Sequence, residues 1–275
     1  MNFIINADDA GISMGVNDAI KKMALAGNLN SVSIMTNGIY VEDIINFCKE
    51  NQVSCGLHLN LTTGKSTLGN EKLPRITNKD GTFKHGFLGL FLAVFVSVFF
   101  GGRKVLNEIH SEIEAQIAFL KKSGLKIEHI NGHRHIHFLP KIFPIVQKIA
   151  AEHGILHVRI INESIVQTVL ASGFKPLFSS AIIKWFILRL CGLVNGAGTS
   201  DTYFFSIFHT CKVTNSVAKQ IAIPNKFKRI EIMIHPGNSS VDKQDLSLEY
   251  ELEHLHSKHR NIEAGLNFQH LKLSK

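Results

Sequence analysis

Short apolar runs alternate with amphipathic helical stretches along nearly the whole chain, and this alternation limits the possible folds more than any other feature. Residues 2–7, 30–35, 54–61, 156–160 and 229–234 read as strands, Ile127 and Ile130 mark another, and 202–205 is a weaker one. Between them, 16–26, 41–50, 105–122, 140–153, 216–221 and 246–256 carry helical periodicity. Strand and helix in steady alternation predict a parallel sheet with its connections on the outside. About seven strands in one series favour an α/β barrel over an open sheet. With no linker and no internal repeat in its 275 residues, the chain is expected to form a single domain, 1–275.

In a parallel barrel all C-terminal strand ends open onto one face, where α/β proteins keep their sites. Asp8 and Asp9 end the first strand, His58 the third, His133 the fourth and His235 a late one. A carboxylate with two imidazoles makes an open-sided metal site, so this convergence of distant segments outweighs any one motif. Around His133, the stretch Asn131-Gly132-His133-Arg134-His135-Ile136-His137 sets three histidines on one face if the backbone is extended. Asp8 and Asp9 would point apart, one toward a metal and one toward a water proton, or an aspartate here caps the next helix. His235, before Pro236-Gly237, suits protonation of a leaving amine, or is a satisfied loop histidine. Arg159 either positions a carboxylate or substrate, or forms a structural ion pair.

Thirty Lys+Arg against 22 Asp+Glu give a net charge of +8, scattered without a basic run or aromatic interleaving. That suits an anionic surface such as a membrane and offers nucleic acid no motif. Cys48, Cys55, Cys191 and Cys211 have no paired spacing and read as free thiols of a reducing compartment. The N-terminus enters Phe3-Ile4-Ile5 and two aspartates directly, too short and acidic for a signal peptide, so a cytoplasmic location is expected.

Two apolar insertions interrupt the pattern. Residues 85–102 hold no Lys, Arg, Asp or Glu, and 174–194 combine Trp185, Phe186, Ile187 and Leu188 with Lys184 and Arg189. A membrane span at 85–102 would split the candidate ligands across a bilayer, so flaps resting on the cytoplasmic membrane face fit better. Packing of the insertions on each other, or a homodimer contact, fits equally well.

Four segments together resemble the YdjC-like carbohydrate deacetylase family, which includes chitooligosaccharide and hopanoid-biosynthesis-associated deacetylases. They are Asn6-Ala7-Asp8-Asp9-Ala10-Gly11, Gly56-Leu57-His58-Leu59-Asn60-Leu61-Thr62, Gly132-His133-Arg134-His135-Ile136-His137 and Glu231-Ile232-Met233-Ile234-His235-Pro236-Gly237. The resemblance implies a TIM-barrel-like (β/α) fold, one divalent metal ion (magnesium or zinc foremost) and removal of an N-acetyl group from an amino sugar, free or lipid-linked. By the same resemblance Asp9, His58 and His133 match the metal ligands, Asp8 the general base and His235 the acid. His135 and His137 belong to the family's motif and take supporting places around the site, and Arg159 and Asn60 are counted with them as substrate-binding or supporting residues. The chain departs from the family at Ala10, usually aromatic, and at Asn131, usually acidic; the second change removes a carboxylate that would orient an imidazole. The competing expectations are a metal-dependent phosphoesterase and a weakly catalytic, membrane-associated glycan-binding homologue.

Overall fold

The seven apolar runs become β1 (Asn2–Ala10), β2 (Ser31–Ile34), β3 (Ser54–Leu59), β4 (Ile127–Gly132), β5 (His157–Val158), β6 (Thr202–Phe205) and β7 (Arg229–Ile234). In the computed structural model, which describes residues 2–99, 103–196, 200–221 and 227–271, they pair in parallel in the order β5-β4-β3-β2-β1-β7-β6. Helices cover the outside: α1 (Met14–Leu25), α2 (Val41–Asn51), α3 (Phe87–Phe99), α4 (Lys104–Lys122) and α5 (Ile142–Glu152). They continue as α6 (Ile165–Ser172), α7 (Ala181–Val194), α8 (Asn215–Gln220) and the short α9 (Ser239–Asp242), α10 (Leu252–Leu255) and α11 (Lys258–Ala264). The result is a curled α/β sheet, a half-barrel.

Each helix forms where an apolar stripe can be buried. In α1, Val16, Ala19, Ile20 and Met23 face the sheet at helical spacing, and Ser13 Oγ accepts from Val16 N at the N-terminus. That cap is Ser13, which leaves Asp8 and Asp9 free of the capping role. In α4, Ile109, Ile113, Ile117 and Leu120 form the apolar stripe, but Glu108, Glu112 and Gln116 are buried beside it. Their side chains accept from Arg75 N, Thr67 N and Asn60 N, pinning the long connection after β3 to the helix. Buried backbone donors need such partners.

Among the described residues no ladder joins β5 to β6. A side chain bridges that seam: Asn162 Nδ2 donates to Thr202 O at 2.9 Å, and Asn162 Oδ1 accepts from Phe204 N at 2.8 Å. One amide thus makes the two bonds that a neighbouring strand would have offered β6.

Two expectations need correction. The histidine stretch is no extended strand end: His133–Phe138 forms a 3-10 turn with Arg134 and His135 at φ of 54° and 59°, so the three imidazoles do not share a face. Nor is 246–256 one helix. Glu251 at φ 57° breaks it, leaving α10 as a single turn and carrying Glu251 and His254 toward the strand ends. The insertions are helical as α3 and α7, with residues 100–102 of the first outside the described residues.

Candidate active site

The interior of the half-barrel is polar where the strands end. Asn6 and Asp8 lie two apart on β1 and face inward together, and Asn6 Nδ2 donates to Asp8 Oδ1 at 2.6 Å and to Ser33 Oγ at 2.9 Å. Register sets His58 beside Asn131 across the β3–β4 pair. Gly56 keeps the neighbouring layer open, since a Cβ there would stand 2.4 Å from the His129 ring.

The β1–β2 register shifts between Ala7 and Ala10, and within this bulge Asp9 takes a left-handed φ of 65°. A bulge re-aims a side chain at the end of a strand. Here it turns Asp9 toward the imidazoles: Asp9 Oδ1 lies 3.2 Å from His58 Nε2 and 3.0 Å from His133 Nδ1. These three ligand atoms, all on buried residues, fall within 4.8 Å of one another. Two imidazole nitrogens and a carboxylate oxygen suit a divalent ion. The tautomers agree: Asn131 Oδ1 can only accept, so His58 Nδ1 donates to it at 2.7 Å, leaving the Nε2 lone pair for a metal. Asn131 therefore orients an imidazole through its carbonyl.

The second Asp9 oxygen is held from the C-terminal segment. His254 Nε2 lies 3.2 Å from Oδ2, and Arg260 Nη1, fully buried, donates to it at 3.1 Å. Burial would raise the Asp9 carboxyl, yet hydrogen bonds from His133 and His254 outweigh it and hold the group well below its ordinary range. Burial also drags His133 down, but Asp9 and Glu251 lift it to about 9.

Asp8 stands beside this trio with a different set of partners. Arg159 Nη1 donates to Asp8 Oδ2 at 2.7 Å and Nη2 to Oδ1 at 2.9 Å, while Asn131 Nδ2 donates to Oδ1 at 2.9 Å. Burial raises the carboxyl, and the charge and hydrogen bonds of Arg159 overcome it, so Asp8 is ionised. Arg159 also donates from Nε to Glu231 Oε1 at 2.7 Å and lies over the Phe204 ring. It positions a carboxylate and forms an ion pair at once.

His235 at the end of β7 completes the ring of strand ends. Burial lowers it to about 3 against the pull of Asp9 and Asp8, and its Nδ1, unpaired, lies 4.0 Å from Glu263 Oε2. Burial pushes Glu263 up to about 7, although the His235 and Val213 amides donate to it. His135 packs edge-on against Phe204, and His137 Nε2 shares a hydrogen bond with Arg159 O at 3.1 Å, so both line the wall away from the trio. Asn60 is fully buried and its amide bonds Asn37, Thr62 and Thr63, holding the loop after β3.

Glu251, His254, Arg260 and Glu263 escaped the sequence reading. Their stretch looks like a solvated helix, and nothing in its pattern says that Arg260 would be buried against a carboxylate 251 residues away. Ala10 is buried, packed within the core.

A family profile described as YdjC-like protein matches residues 2–265. A carbohydrate deacetylase of Brevibacillus brevis is 35% identical over 156 residues, 56% of this chain and 58% of that protein. A carbohydrate deacetylase of Danio rerio is 28% identical over 161 residues, 58% of this chain and 50% of that protein. The chain thus matches only about half the length of these two relatives. A crystal structure from Enterococcus faecalis V583, of a protein proposed to cleave cellobiose-phosphate, has a TM-score of 0.62 at 22% identity. That likeness covers 94% of this chain and 92% of the other, and it concerns the fold.

Proposed function

The chain belongs to the YdjC-like protein family, and from that premise we propose that it is a metal-dependent hydrolase removing the acetyl group from an N-acetylated amino sugar, as an oligosaccharide or a lipid-linked glycan. The observation that carries this reading is the division between the two adjacent aspartates. Asp9 joins His58 and His133 in a trio suited to one divalent ion, while Asp8 lies just outside it, ionised and fixed by Arg159.

Zinc or magnesium held by Asp9, His58 and His133 would supply Lewis acidity toward water and an acyl oxygen. The remaining work belongs to the chain. Asp8, kept ionised by Arg159, accepts the proton of the water that attacks the acetamide carbon. Asn131 holds His58 in the tautomer that frees Nε2. His235, kept neutral by burial, relays to the departing nitrogen the proton that Asp8 takes from the water, as the C–N bond breaks and leaves acetate and the free amine. Arg260 and His254 keep the Asp9 carboxylate from rotating.

The test is a screen for acetate and for phosphate release from N-acetylated sugars and generic phosphoesters, with zinc or magnesium added. Acetate release that disappears in Asp9→Ala and His133→Ala supports the proposal. Phosphate release alone would assign the site to phosphoester hydrolysis, and activity retained in both variants would refute the ligand set.

A further inference from the structure

Large apolar side chains are unevenly exposed on this protein. Of the nineteen that stand out among the described residues, Leu88, Leu92, Phe95 and Val96 lie on α3, and nine more lie between Val166 and Val194. On α3 the four follow helical spacing, and on α7 so do Ile183, Phe186, Leu190, Leu193 and Val194, so each helix turns an apolar stripe outward. Soluble surfaces rarely leave patches of this kind uncovered.

Both helices reach the wall of the site. Asn195 Nδ2, just past α7, donates to Phe138 O at 2.9 Å, and Gly192 lies against the Phe138 ring. Trp185 Nε1, on the inner side of α7, donates to Glu163 O at 2.8 Å. At the start of α3, Gly86 neighbours the guanidinium of Arg134. Phe138 and Arg134 belong to the same turn as His133, so the stripes flank the face onto which the strand ends open.

Charge supplies the identity of the partner. No Asp or Glu occurs from 81 to 107 or from 164 to 200, whereas exposed Lys84, Arg103, Lys104, Lys175 and Arg189 fall within those stretches. Apolar stripes whose own segments carry cations and no carboxylate match an anionic bilayer surface. Length decides between spanning and resting. At 13 and 14 residues, α3 and α7 extend roughly 20 Å, short of the roughly 30 Å hydrocarbon core. No helix among the described residues is long and apolar enough to cross a membrane.

We propose that the outward stripes of α3 and α7 dock on an anionic phospholipid bilayer, and that the site below them works on an acetylated amino sugar carried at that surface. Docking stands on the surface alone, while the substrate assignment rests on the deacetylase reading above.

The experiment is cosedimentation of the full chain with vesicles of phosphatidylcholine, with and without phosphatidylglycerol, beside acetate release from a soluble N-acetylated oligosaccharide and from a lipid-linked one. The wild type should pellet with the phosphatidylglycerol vesicles and dissociate as salt rises. Leu92→Glu and Phe186→Glu, both at exposed positions, should each weaken pelleting by about tenfold or more and leave hydrolysis of the soluble sugar unchanged. The lipid-linked sugar should be the better substrate for the wild type and lose that advantage in both variants. Wild-type protein that never pellets, variants that pellet like the wild type, or a dimer in size exclusion that both variants dissociate would each overturn docking. Pelleting without acetate release from either sugar would overturn the substrate assignment and the deacetylase reading together, while supporting docking.

Discussion

Single residues in this site have more than one task, and Asn131 is the clearest case. Its carbonyl fixes His58 and its amide donates to Asp8 and to Ser33 Oγ at 2.8 Å. Asn131→Ala should weaken metal affinity roughly 10–100-fold in calorimetric titration, since an imidazole without its partner loses tautomer and orientation; unchanged affinity would contradict the role. Arg159 is equally committed, with side-chain exposures of 1% for it and 2% for Asp8. Arg159→Met strands the buried Asp8 carboxylate and the partly buried Glu231, and denaturant unfolding should report a loss on the order of 3–5 kcal/mol. Asp8, Asp9, His58, His133 and His235 were legible in the sequence because each stands where an apolar run stops. His254, Arg260 and Glu263 were not, because their burial depends on tertiary contacts that a locally polar stretch does not announce.

The strands were legible at the level of elements because burial on both faces writes itself as an apolar run, and even Thr202–Phe205, the weakest pattern, is a strand. The turn at His133–Phe138 was not legible, because alternating histidines read as an extended chain and left-handed Arg134 and His135 leave no mark on the sequence. Closure at β5 was also hidden, as β5 has only two residues and Asn162 takes over its pairing. Asn162→Ala should cost about 1–3 kcal/mol by leaving Thr202 O and Phe204 N without partners. Hydrogen exchange should then speed at Phe204 and stay unchanged along β1; protection retained at Phe204 would show that the seam closes by other means.

For the whole molecule, burial of carboxylates makes stability depend on pH. Burial pushes Glu163 up to about 7 from 4.5, although Ile207 N, Thr168 Oγ1 and Ser206 N donate to it. Between those values the folded chain holds a proton that the unfolded chain has released, so stability falls as pH rises from about 4.5 to about 7 and levels off above. Glu163→Gln should remove a component on the order of 2–3 kcal/mol from that slope in thermal unfolding; an unaltered slope would place the proton elsewhere. The central claim is that one trio holds the ion while the residues beside it move protons. Metal bound per chain, measured by mass spectrometry after loading with zinc or magnesium and desalting, separates those roles. One ion per chain in the wild type and in His235→Ala, and none in His133→Ala, is the predicted result. Equal metal in His133→Ala and the wild type would contradict it.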